Sequence, residues 1–184
     1  MKKCLIYIYL LLLTSLGCLQ AGAVSSEIRS LSVSDGLPDL IINTIYKDSK
    51  GYVWMGTNTS VERFDGIRLE HYMVEGSNEN LKRVFALVEM PGNELWVGTG
   101  MGLFRLADDA EKLERLAPEM ITSGVHAFCK LGDVLYVGTE KGLYVYKGGV
   151  FQQVLVDKNV FSGANFVTGM VEGENGIFWL STLG

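Results

Sequence analysis

His126 and Cys129 stand three residues apart in the stretch VHAFCKL, the pairing in this chain that most suggests a metal or thiolate centre. On an extended segment, residues three apart point to opposite faces, whereas zinc ligands must converge on one point. The pair is therefore not expected to share a metal, and Cys129 reads as a small buried apolar residue. The acidic residues offer no better constellation. Asp65-Gly66, Asp108-Asp109, Asp35-Gly36-Leu37-Pro38 and Asp48-Ser49-Lys50-Gly51 all read as turns, where an Asp side chain serves the backbone. Hydrolysis or elimination needs several carboxylate, Tyr or His groups at one place, and no such set is visible. No catalytic, metal-binding or cofactor-binding residue is expected.

The elements that would position any site begin after an export signal. Met1-Lys2-Lys3 forms a positive head, Cys4 to Leu13 an apolar run, and Ala21 and Ala23 an A-x-A arrangement. These mark residues 1–23 as a signal peptide cleaved after Ala23, which places the mature chain outside the cytoplasm. The apolar run falls short of the ~20 residues a spanning helix needs. Gly17-Cys18 would suit a lipoprotein site, but Ser15 stands where such sites carry an apolar residue. Of the three cysteines, only Cys129 then remains, so no intramolecular disulfide forms and the fold rests on burial and hydrogen bonds. A formal charge of −5 and the lack of a basic cluster argue against nucleic acid as a partner.

One phrase then recurs: WMGT from Trp54, WVGT from Trp96, YVGT from Tyr136 and WLST from Trp179, at intervals of 42, 40 and 43 residues. A glycine turn precedes each copy. A second turn follows the Thr, with Gly102 and Gly142 in two copies and Ser60 in the first, where a slightly weaker hairpin is expected. Between turns lie short β-type stretches such as RVFALVEM, ELWVGT and GLFRLA, and no segment combines helical period with adequate length. Four short antiparallel strands per repeat of this size predict an all-β chain of propeller blades.

A blade is sandwiched between neighbours, so its inner strands are buried on both faces. Alternation puts Trp96 and Gly98 on one face, and Leu95, Val97 and Thr99 on the other. A bare glycine lets the next blade approach while the aromatic fills the widening gap. Trp54, Gly56, Thr57, Trp96, Gly98, Thr99, Tyr136, Gly138, Thr139 and Trp179 are thus expected as repeat core, rather than as a sugar-stacking platform. The expected division is a closing outer strand at 28–33, blades at 34–73, 80–117 and 124–157, and a truncated blade at 165–184. About three and a half four-stranded antiparallel blades close no ring, so the chain reads as the amino-terminal piece of a longer protein. Its bare end faces would favour self-association.

The run LSVSDGLPDLIINTIYKDSKGYVWMGTNTSVERFDG (Leu31 to Gly66) resembles the two-component regulator propeller repeat, and the likeness extends from Ile28 to Gly184. Departures are Ser60 for a turn glycine, Tyr136 for Trp and Ser181 for Gly. The resemblance implies a periplasmic sensor propeller of a hybrid two-component regulator that detects a nutrient, an oligosaccharide or similar small ligand. It also implies partners in the remaining blades and in a kinase portion beyond a membrane anchor. The chain shows no phosphate-cradling glycine loop, and neither His71 nor His126 has the helical context of a phosphoacceptor. Two other readings stay open: an extracytoplasmic carbohydrate-binding scaffold, and a fragment of a propeller glycan hydrolase or lyase. Ligand-binding residues are not assigned.

Overall fold

The computed structural model describes residues 28–74, 81–154, 157–159 and 162–184. The expected signal peptide, its cleavage site at Ala23 and Cys18 lie outside the described residues. The chain divides into two compact units, Met1–Ser30 and Leu31–Gly184. Of the first, Ile28, Arg29 and Ser30 are described and have no regular structure.

In the second unit the short apolar stretches pair as antiparallel meanders. Blade 1 contains β1 (Thr44–Lys47), β2 (Val53–Gly56), β3 (Val61–Phe64) and β4 (Leu69–Tyr72). Blade 2 contains β5 (Val84–Met90), β6 (Glu94–Thr99), β7 (Gly102–Leu106) and β8 (Glu114–Arg115). Blade 3 contains β9 (Val125–Leu131), β10 (Val134–Thr139), β11 (Gly142–Lys147) and β12 (Val150–Val154). Blade 4 is the two-stranded sheet of β13 (Val167–Glu172) and β14 (Phe178–Thr182). The first strands β1, β5, β9 and β13 pack one on the next. Among the described residues the blades form an incomplete propeller.

Blade contacts rest on a knob and a hole. A Cβ placed on Gly56 would stand 2.5 Å from Val84 Cγ1, one on Gly98 2.8 Å from Val125 Cγ1, and one on Gly138 2.6 Å from Val167 Cγ1. Val84, Val125 and Val167 are each fully buried. The glycine on a second strand therefore receives the branched side chain that opens the next blade. The core aromatics flank this contact. Trp54 packs with Leu95 and Leu106 of blade 2, and Trp96 with Leu135 and Tyr144 of blade 3.

Thr closes each second hairpin. Thr99 Oγ1 accepts from Met101 N–H at 3.0 Å and donates to Gly102 O at 3.0 Å; Thr139 repeats this with Lys141 and Gly142. In the first hairpin Ser60 holds the place of the turn glycine. Ser60 N–H donates to Thr57 Oγ1 at 3.0 Å and its hydroxyl donates to the buried Glu62 carboxylate at 2.7 Å. A serine without positive φ thus gains side-chain bonds in place of glycine's freedom.

Two expectations need correction. Residues 28–33 form no strand. Ser32 N–H and Oγ–H instead donate to Asp35 Oδ2 at 2.9 and 2.8 Å, Val33–Asp35 make a 3-10 turn, and Gly36 leaves it at φ 100°. Local Ser–Asp bonding outcompetes the extended pattern there. Trp179 occupies the register place of Trp54 and Trp96, yet it is 69% exposed against 5% and 3%. No described blade covers its face. Tyr136 is half-buried against Phe178 of blade 4, with ring centroids 4.4 Å apart.

The blade 1 core carries one titration worth measuring. Burial, and then a 2.9 Å hydrogen bond to Glu70, push the Tyr72 phenol from 10.0 up to about 12. A raised folded value means full stability below the unfolded value and loss as pH climbs through the folded one. Unfolding free energy should fall between pH 10.0 and about 12, by about 1.4 kcal/mol per pH unit. Urea unfolding of Tyr72→Phe, lacking that titration, should show a shallower decline; parallel curves would refute the assignment.

Candidate functional site

The second hairpins and the segments entering the first strands meet on one face of the arc. Loop 57–60 binds the entry to β5: Arg83 N–H donates to Asn58 O at 2.8 Å and Val84 N–H to Thr57 O at 2.8 Å. Lys82 and Arg83 both adopt positive φ, 49° and 74°, a conformation that costs non-glycine residues energy and tends to sit where function demands it. Gly100 makes it fit. Its N–H donates to Arg83 O at 3.0 Å, and a Cβ there would stand 2.2 Å from Lys82 O.

This backbone aims a continuous row of side chains across four blades. Asn43 Nδ2 donates to Asn58 Oδ1 at 3.1 Å, and Arg83 Nε donates to Asn43 Oδ1 at 3.1 Å. The Arg83 guanidinium lies 5.8 Å from the Phe85 ring. The Phe85 ring packs on His126 at 4.1 Å, tilted by 31°, and His126 on Phe166 at 4.8 Å, tilted by 48°. Glu140 Oε1 accepts from His126 Nε2 at 3.2 Å. The row joins half-buried ring faces to amide, guanidinium and carboxylate groups. That mixture suits a ligand with apolar C–H faces and ring hydroxyls.

The residues singled out in the sequence fall elsewhere, His126 excepted. Cys129 is buried on β9, and its thiol is pushed up by burial, unsuited to nucleophilic chemistry. Asp65 is a turn residue: Ile67 and Arg68 N–H donate to its Oδ1 at 2.7 and 2.6 Å, and the Arg68 and Ile67 bonds hold its carboxyl below the usual range. Asp48 accepts from Tyr52 N–H and Trp54 Nε1–H, each at 2.8 Å. Asp108 pairs with Lys50, tying blade 2 to blade 1. His71 Nδ1 lies 2.8 Å from the buried Glu62 carboxylate. Among the described residues, no cluster of three or more His, Cys, Asp or Glu is arranged for a metal.

Asn43, Arg83, Phe85, Glu140 and Phe166 were not singled out. A signal existed: Phe85 and His126 each directly follow the knob valine of their blade, so aligning the repeats on Val84 and Val125 superposes them.

Residues 36–59 match the family described as two component regulator propeller. The chain carries such a propeller repeat. Among solved structures, it resembles the extracellular domain of BT3049, described as a hybrid two component system of B. thetaiotaomicron, with TM-score 0.69 and 19% identity over 84% of this chain and 24% of that one. The extracellular domain of BT4673 from the same organism, described as a one component system, gives TM-score 0.67 and 21% identity over 80% of this chain and 20% of that one. Streptogramin B lyase gives TM-score 0.61 and 14% identity over 80% of this chain and 50% of that one. The chain thus spans a quarter or less of the two B. thetaiotaomicron domains. Comparison with curated proteins gives no match. The propeller repeat sets the fold, and a lyase among its likenesses means that fold alone does not separate a sensor from an enzyme.

Proposed function

We propose that this chain is the amino-terminal part of an extracytoplasmic sensor propeller of a hybrid two-component regulator. In this reading it acts in the periplasm, detects an oligosaccharide nutrient, and works with further blades and a kinase portion on a longer polypeptide. The observation that carries the reading is the row from Asn43 through Arg83, Phe85 and His126 to Phe166. It is built for binding: its one carboxylate among the described residues is Glu140, whereas glycoside hydrolysis commonly uses a pair. Hydrogen bonds from Arg83 N–H to Asn58 O, from Gly100 N–H to Arg83 O and from Arg83 Nε to Asn43 hold the positive-φ segment and its side chain in place, and such preorganisation lowers the ordering cost of binding.

Calorimetric titration of the polypeptide as its gene encodes it, against neutral and acidic oligosaccharides, tests the reading. Phe85→Ala and His126→Ala should each weaken binding about tenfold while leaving the melting temperature nearly unchanged. Wild-type affinity in both variants, or no oligosaccharide bound at all, would remove the proposal.

A further inference from the structure

Arg63 and Arg105 occupy the same place in consecutive blades, cross-strand from Trp54 and Trp96. Their surroundings differ. Between blades 1 and 2 the Arg63 guanidinium lies 4.7 Å from the Tyr52 ring, 5.7 Å from Trp54 and 5.8 Å from Tyr72, and it pairs with Glu70. About 20 Å³ of space remains there. Between blades 2 and 3, repeat register puts Glu94 where Tyr52 stands and Leu116 where Tyr72 stands. Two rings are missing, and a cleft of about 520 Å³ opens. That volume lies in the ordinary range for small-molecule sites, about 300–1,000 Å³.

The cleft has the parts of a binding site. Arg105 reaches Glu94 at 3.6 Å and Glu114 at 3.4 Å, both long, and its Nε is buried with no hydrogen-bond partner among the described residues. A buried N–H in that state is rare enough to point to an absent acceptor. Across the cleft, Tyr146 and Phe151 have ring centroids 4.8 Å apart, and Trp96 backs Tyr146 at 4.7 Å. Arg105 and Lys130 face Glu94 and Asp133 around the lining, so the charges balance and the surroundings favour no net ionic ligand.

We propose that this cleft binds one neutral sugar ring. The C–H face of the ring packs on Tyr146 and Phe151, one hydroxyl oxygen accepts from Arg105 Nε–H, and other hydroxyls donate to Glu94 and Asp133. The ligand class rests on the saccharide reading above; the place does not. The site lies on the turns opposite the His126 row and is complete within blades 2 and 3.

The test is ligand-observed NMR of the full chain with methyl β-D-glucopyranoside and methyl β-D-xylopyranoside, with glucuronate as the anionic comparison. Glu94→Tyr refills the cleft as Tyr52 fills its neighbour and is expected to fold; Phe151→Ala removes a partly exposed wall. Binding of a neutral glycoside that falls at least tenfold in both variants and persists in His126→Ala supports the cleft. Binding lost in His126→Ala but kept in Glu94→Tyr overturns it while leaving the proposed function intact. Preference for glucuronate, or no glycoside binding with all proteins folded by their melting curves, also overturns it.

Discussion

Gly98→Ala is expected to destabilise the protein by about 3 kcal/mol, the upper part of the usual range for overpacking. The added methyl would stand 2.8 Å from Val125 Cγ1 and 2.8 Å from Val125 O. A rotamer change relieves the first contact. The second is backbone at the start of β9, which pairs with Thr139 of β10 beside a register shift, so relief requires that end of blade 3 to move away and loosens the apolar contacts between the blades. Urea unfolding of wild type and variant measures the loss. Ser181→Ala serves as comparison, since Ser181 holds the same register place on a sheet face that no described blade covers; it should change stability by about 0.5 kcal/mol or less. Should Gly98→Ala prove as stable as wild type, close blade approach is not what the glycine provides.

A pair of tryptophans tests the same packing from the other side. Trp96→Ala should cost about 3–5 kcal/mol, the range for truncating a large buried aromatic, because Trp96 is 3% exposed and sits among Leu135, Val137 and Tyr144. Trp179→Ala, at a site 69% exposed, should cost about 0.5 kcal/mol or less. Thermal or urea unfolding of both variants decides it. Equal losses would mean that Trp179 is as buried as its repeat position suggests.

These predictions mark how far the sequence could be read. The blade period was visible because each blade must bury the same two faces, so Trp54, Trp96 and Tyr136 return with their Gly and Thr. The hole at Gly98 was legible, but the knob was not recognised: Val125 lies in another blade, and nothing local marks it. The row from Asn43 to Phe166 escaped notice because its members are unlike in type. Phe85, His126 and Phe166 become a set of adjoining rings only when three strand starts come together.

By itself, the sequence determined the all-β class, the blade length, the hairpin turns and the kinship with the two-component regulator propeller repeat. All of these follow from periodic burial and local turn chemistry, which act over a few residues and repeat. Tertiary structure decided the rest. It showed that residues 28–33 form no strand and that the chain turns at Ser32–Asp35, that Trp179 lies bare, and that Tyr52 and Tyr72 fill one inter-blade space while Glu94 and Leu116 leave the next one open. Such outcomes depend on which side chains from separate blades share a volume, and that sharing exists only after the chain has folded.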